Sequence, residues 1–207
     1  MRKGNTMAES IKIEIFRKKE AEEFSLALAD PESRAQTGSG TAMTAAVASA
    51  LLQRAARLTK EVLSENERVE YIVRNSEILR KYMVNLIDED VKARGPYRRA
   101  IKEGDPRKIE AASQSAGAVC SEIVCMMEKA LELAEELAAL CPDDARHFIA
   151  ESADLALAAI RASMRYCVYW GDQSMEDTRR YVIRRENELQ WEEIQALYKR
   201  VIEKAES

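Results

Sequence analysis

The chain has 207 residues, 46% hydrophobic and 33% charged, with only four prolines and seven glycines; Ala, Leu, Glu, Lys and Arg dominate, which points to one helical domain with a sizeable core. A formal net charge of −4 without a basic block lacks the clustered positive charge that phosphate-backbone binding requires, so no nucleic-acid partner is expected. No apolar run has membrane-spanning length, no secretory core opens the chain, and four cysteines (Cys120, Cys125, Cys141, Cys167) without a CxxC pair, beside the single His147, argue against a zinc or iron site and suit free thiols in the cytoplasm.

Residues 1–9 read as a leader, and 10–207 as one helical domain. Ile11, Ile13 and Ile15 alternate for three positions, too few for a strand. A first helix is predicted to stop near Ala29, before Asp30-Pro31. Residues 31–40 are expected to form a loop that ends in Gly38-Ser39-Gly40, with Thr41 next. An Ala-rich second helix follows over about 42–63, with Met43, Val47, Ala50, Leu51, Leu58 and Val62 as its inward face.

The third helix is predicted over about 67–93, with Val69, Ile72, Val73, Leu79, Met83 and Leu86 inside and Gly95-Pro96 as its stop. Asp105-Pro106 marks a new start, with Asp as cap and Pro in the first turn. That fourth helix carries a stripe of Ile109, Ala116, Ile123, Met127, Ala130 and Leu137 to about Leu140. The segment Cys141-Pro142-Asp143-Asp144 turns into a fifth helix with Ile149, Leu157, Ile160, Met164 and Cys167 inside, ending near Gly171. Ser174-Met175-Glu176-Asp177 has capping-box form before a charged last helix whose seam is Ile194, Leu197, Tyr198 and Val201. The expected fold is all-α: a single-domain, up-and-down bundle of five to six long helices.

Two features carry candidate chemistry. A glycine turn opening a helix lets the backbone approach a ligand and leaves N–H groups facing outward, a seat for a carboxylate or phosphate; it also serves as an ordinary inter-helix connection. Asp90 follows Leu79, Met83 and Leu86 at helical spacing, so it faces the core while Asp88 and Glu89 point elsewhere. A core-facing carboxylate is either a proton donor and acceptor in a sheltered pocket or one half of an ion pair, with Arg94 four residues on as the obvious partner. Asp154, with Arg161 and Arg165 on roughly the same side, reads as a pocket residue or a surface charge ladder. The aromatic run around Tyr166, Tyr169 and Trp170 suits a flat heterocycle or a packed core.

In order, Phe24, Leu28-Ala29-Asp30-Pro31, Gly38-Ser39-Gly40-Thr41-Ala42, Ala56-Arg57-Leu58-Thr59, Leu86-Ile87-Asp88-Glu89-Asp90 with Ala93, the Ala-rich run 111–119 and Ser152-Ala153-Asp154-Leu155-Ala156 resemble landmarks of the formiminotransferase-cyclodeaminase C-terminal family, which includes methenyltetrahydrofolate cyclohydrolases. The resemblance implies an all-α homodimer acting on a tetrahydrofolate derivative as a small-molecule substrate, without a metal. It implies Asp90 as the catalytic carboxylate and Gly38, Ser39, Gly40, Thr41, Asp154 and Tyr166 as substrate-binding residues. The chain departs from the family pattern in its glycine loop, which lacks the usual proline and one glycine. Arg94-Gly95-Pro96 also stands where an aromatic helical stretch is usual, and Tyr166, Tyr169 and Trp170 stand near usual asparagines. Three functions remain open: a cyclohydrolase or cyclodeaminase, an inactive binder of a folate-like ligand, and a structural helical dimer. The Met126-Met127 pair and the alanine-rich helices add an apolar motive for pairing of two copies.

Overall fold

The computed structural model describes residues 14–207. The expected leader and two of the three alternating isoleucines, Ile11 and Ile13, lie outside them. A short 3-10 turn, Phe16–Lys18, precedes six helices: α1 (Ala21–Ala29), α2 (Thr37–Val62), α3 (Glu67–Glu103), α4 (Pro106–Ala138), α5 (Asp143–Gly171) and α6 (Asp177–Glu206). Helices α2 to α5 form a ring in which each packs on its two neighbours, with α6 laid along α4 and α5. The all-α single-domain bundle is the expected one. Its centre holds Leu52, Ile72, Met83, Ile123, Met127, Leu131, Ile149 and Ile160, all essentially without solvent contact.

The ends follow their caps. Asn66 accepts from the Arg68 and Val69 N–H groups at the start of α3. Asp105 does the same for α4, with Pro106 in the first turn. Gly104 closes α3 in the left-handed region, at φ 70°, a conformation that other residues adopt only with strain.

The structure corrects four expectations. Residues 37–40 are the first turn of α2 rather than loop, because a carboxylate on α3 caps the helix from outside its own sequence. The inward face of α2 is its small-residue side: Ala42, Ala45, Ala48, Leu52, Ala55 and Ala56 are buried, whereas Met43, Val47 and Val62 are exposed and Ala50, Leu51 and Leu58 half-buried. Small side chains let α3 and α5 approach closely, and Ser152 on α5 donates to the Ala48 carbonyl at 2.8 Å across that seam. Helix α3 runs through Gly95-Pro96 for 37 residues, about 55 Å at 1.5 Å per residue. Pro96 removes the hydrogen bond to the Lys92 carbonyl, but both residues lie on the exposed side, where water satisfies it. Beyond the proline, buried Ala100 and the edge-on packing of Tyr97 against Trp170, with ring centres 4.9 Å apart, hold the helix to the bundle. Finally, Ser174 does not form a reciprocal capping box: its hydroxyl accepts from the Glu176 N–H and donates to Glu110, while Glu176 is the cap position of α6.

Two further placements differ from the sequence reading. Asp88, expected to point away from the core, is buried under the 3-10 turn, where it accepts from the Phe16 N–H at 2.7 Å and pairs with Arg17. Met127 is fully buried and Met126 is partly buried against the core, so this pair offers little free apolar surface.

Candidate active site at the start of α2

The start of α2 and the middle of α3 meet at Asp90, whose side chain is 1% exposed. Three donors converge on one of its oxygens, Oδ2. These are the Ser39 N–H at 3.0 Å, the Ser39 hydroxyl at 3.0 Å and the Arg94 guanidinium at 2.9 Å. The Ser39 hydroxyl stands equally close to the Ile87 carbonyl and donates to one acceptor at a time. Gln36, the cap position of α2, makes no side-chain cap bond, so Asp90 supplies from α3 the acceptor that the helix start requires. No donor reaches the second oxygen, Oδ1, among the described residues.

Gly38 explains how the carboxylate gets so close. A Cβ built on Gly38 would overlap Oδ1 and stand 2.5 Å from the Asp90 carboxyl carbon. The carboxylate is tied by the Ser39 N–H and by Arg94, with the Ser39 hydroxyl also in reach, so moving it aside costs these bonds. Gly38→Ala is therefore expected to destabilise the fold by about 1–3 kcal/mol through overpacking. Gly40→Ala meets only the tip of half-exposed Leu28 at ordinary contact distance and should be tolerated, because alanine favours the helix. Urea unfolding of the two variants checks the contrast, and equal midpoints would contradict the close approach.

Arg94 is the hub of the site. Itself 4% exposed, it also donates to the Arg34 carbonyl at 2.8 Å and to the Gln36 side-chain oxygen. It thus holds the 34–36 segment over the carboxylate. Just outside lies a groove of about 450 Å³ lined by Leu28, Pro31, Ala35, Gln36, Thr37 and Gly40; Asp90 sits behind its wall. The Thr41 hydroxyl is spent within the helix, donating to the Thr37 carbonyl at 2.7 Å.

Tyr166 lies on the α5 side of this centre, close enough to feel the charges of Asp90 and Arg94. Burial pushes its hydroxyl up to about 12 against the opposing pull of the Arg94 charge, with a smaller push from Asp90, so it stays a neutral donor near pH 7. It belongs to an aromatic group with Tyr97, Tyr169 and Trp170, and it stacks on Tyr169 with ring centres 5.6 Å apart. Asp154 does not join the site. It sits twelve residues before Tyr166, about 18 Å along α5, and accepts from the Tyr198 hydroxyl of α6 at 2.6 Å. Arg161, its expected companion, instead covers the Trp191 ring at 4.5 Å. The structure thus gathers Gly38, Ser39, Gly40, Thr41 and Asp90, places Tyr166 beside them and sets Asp154 apart. Gln36 and the Arg34 carbonyl escaped sequence reasoning, because nothing in a local pattern announces a loop residue held by an arginine 58 positions away.

No group of three or more His, Cys, Asp or Glu side chains is arranged to hold a metal ion, and no helix is long and apolar enough to cross a membrane, among the described residues.

The sequence model of the formiminotransferase-cyclodeaminase family matches residues 20–189. No curated protein sequence matches the chain. Among solved structures, a formiminotetrahydrofolate cyclodeaminase from Thermotoga maritima superposes with a TM-score of 0.83 at 22% identity, covering 91% of this chain and 96% of that one. At that identity the likeness speaks to the fold.

Proposed function

The chain belongs to the formiminotransferase-cyclodeaminase family, and on that premise we propose that it acts on a one-carbon derivative of tetrahydrofolate, with Asp90 as the group that moves protons. The observation that carries this reading is the asymmetry of the Asp90 carboxylate. Three donors stand at Oδ2 and fix the group, while Oδ1 has no hydrogen-bond partner among the described residues and fills the place that a Gly38 side chain would take. An oxygen held in place but not occupied is suited to accept and return a proton.

In a cyclohydrolase reaction, Oδ1 takes a proton from the water that adds to the carbon bridging N5 and N10, and returns it to the nitrogen that departs when the tetrahedral adduct opens. In a cyclodeaminase reaction, N10 attacks the formimino carbon, and the same oxygen passes the N10 proton to the leaving ammonia. Ser39 and Arg94 keep the carboxylate oriented, and Tyr166 offers a neutral hydroxyl donor beside it. Tyr169, half exposed and backed by buried Trp170, supplies flat surface for the pterin. Substrate reaches Oδ1 from the groove at Gln36 and Thr37 once the 34–36 segment shifts off Arg94. The tetrahydrofolate derivative is substrate, and the scheme uses no metal ion. A folate-processing role fits the cytoplasm.

Purified protein incubated with 5,10-methenyl-tetrahydrofolate tests the proposal by absorbance. Loss of the methenyl chromophore above the buffer rate identifies a cyclohydrolase, and its appearance from the 5-formimino compound with release of ammonia identifies a cyclodeaminase. A second reading, a folate binder without turnover, draws on the arginine lock over Asp90; it predicts saturable binding of both compounds with the chromophore unchanged. Neither binding nor turnover would overturn the folate assignment.

We further propose that two copies pair through the outer face of α1 and α2. Leu26, Met43 and Val47 are exposed there, with Leu28 beside them, an apolar stripe that a second copy would cover. Introducing charge with Met43→Glu and Val47→Glu together is expected to shift the protein from dimer to monomer in sedimentation equilibrium at micromolar concentration. A monomer before substitution would contradict the pairing.

A further inference from the structure

Helices α4 and α5 run antiparallel, and their register can be read at Gly117, where a built Cβ would lie 3.3 Å from the Trp170 Cβ. One turn along α4 and one turn back along α5 sets Cys120 opposite Cys167. The two side chains pack in one cluster with Ala116 and Trp170, and the Ser121 hydroxyl lies 3.6 Å from the Cys167 sulfur. Cys120 is enclosed, packed with Ala116 and Trp170, and its thiol points back to the Ala116 carbonyl. Cys167 is half-buried and lines a cavity of about 270 Å³ between α4, α5 and α6. Gln114, Arg179 and Glu186 on its rim are exposed, so small solutes reach it. The neighbouring Cys120 thiol and the Ser121 hydroxyl lower the Cys167 thiol from its ordinary value, whereas the closeness of Cys167 and burial raise Cys120. One thiol of the pair is thus accessible and disposed to ionise, and its neighbour stays protonated behind it.

We propose that Cys167 is an oxidation site for hydrogen peroxide, with Cys120 as the resolving thiol. The Cys167 thiolate sulfur attacks one peroxide oxygen; the O–O bond breaks and hydroxide leaves, taking up a proton as water, so that Cys167 becomes a sulfenic acid. The Cys120 sulfur then attacks the Cys167 sulfur, the S–O bond breaks, and the departing hydroxide takes the Cys120 proton as a second water. Two thiols are oxidised to one disulfide and one peroxide is reduced to two waters. The product staples α4 to α5 one turn from Trp170. The chemistry does not depend on the folate reading, and the exposed Cys125 and the buried Cys141 take no part in it.

The test uses the whole chain and hydrogen peroxide at a small molar excess, followed by alkylation under denaturing conditions and mass spectrometry. Of the four thiols, two are expected to escape alkylation through a Cys120–Cys167 disulfide. In Cys120→Ser, dimedone should trap a sulfenic acid at Cys167; in Cys167→Ser, Cys120 should stay reduced and no crosslink should form. Circular dichroism of each variant before oxidation confirms that it is folded. Four alkylated thiols after treatment, or oxidation falling first on Cys125, would overturn the proposal.

Discussion

Arg94→Met is expected to destabilise the protein by about 3–5 kcal/mol, because it leaves the Asp90 carboxylate buried without its cation. The pair is almost wholly enclosed, at 4% and 1% side-chain exposure, so water cannot replace the guanidinium. A surface pair of the same spacing, such as Arg74 with Glu70, is worth at most about 1 kcal/mol. The loss also frees the Arg34 carbonyl and the Gln36 side chain, which loosens the segment over the site. Urea unfolding measures the effect. Adding Asp90→Asn in the Arg94→Met background should recover much of it, since the orphaned charge is then gone. A shift below about 1 kcal/mol would mean that the ion pair does not hold this corner of the fold.

Asp90→Asn on its own is expected to lower turnover by about 10²–10⁴-fold, the usual contribution of a positioned acid or base. The amide keeps an oxygen for the Ser39 N–H, and Arg94 keeps its Arg34 and Gln36 acceptors, so the site retains its shape better than in Arg94→Met. What disappears is the carboxylate oxygen that accepts the proton and returns it. Substrate binding should change much less than turnover, because the groove and the aromatic group are untouched.

Much of this architecture was legible where a single helical period governs burial. Leu79, Met83 and Leu86 put Asp90 on the inner face of α3, and it is there; Asp105-Pro106 and Gly171 mark helix ends that the structure keeps. The resemblance in the glycine segment and in the acidic helix also pointed to the elements that meet. Legibility failed where a helix has two apolar sides. In α2, the bulky Met43 and Val47 suggest a buried stripe, yet alanines form the core because their small size admits two neighbouring backbones. It failed at Pro96, where solvent satisfies the lost hydrogen bond, and at Asp88, whose burial depends on a turn 72 residues away. Asp154 lay at the border of its stripe, and only the position of α6, which brings Tyr198 to it, decides on which side it falls.

The account rests on Oδ1 of Asp90 as the atom that carries the proton. The most direct measurement is the time course of methenyl-tetrahydrofolate absorbance for the unaltered chain and for Asp90→Asn, each folded by circular dichroism and each saturated according to its own binding curve. The expected result is turnover in the first and a loss of at least about 100-fold in the second, with substrate still bound. Equal rates in the two proteins would contradict it.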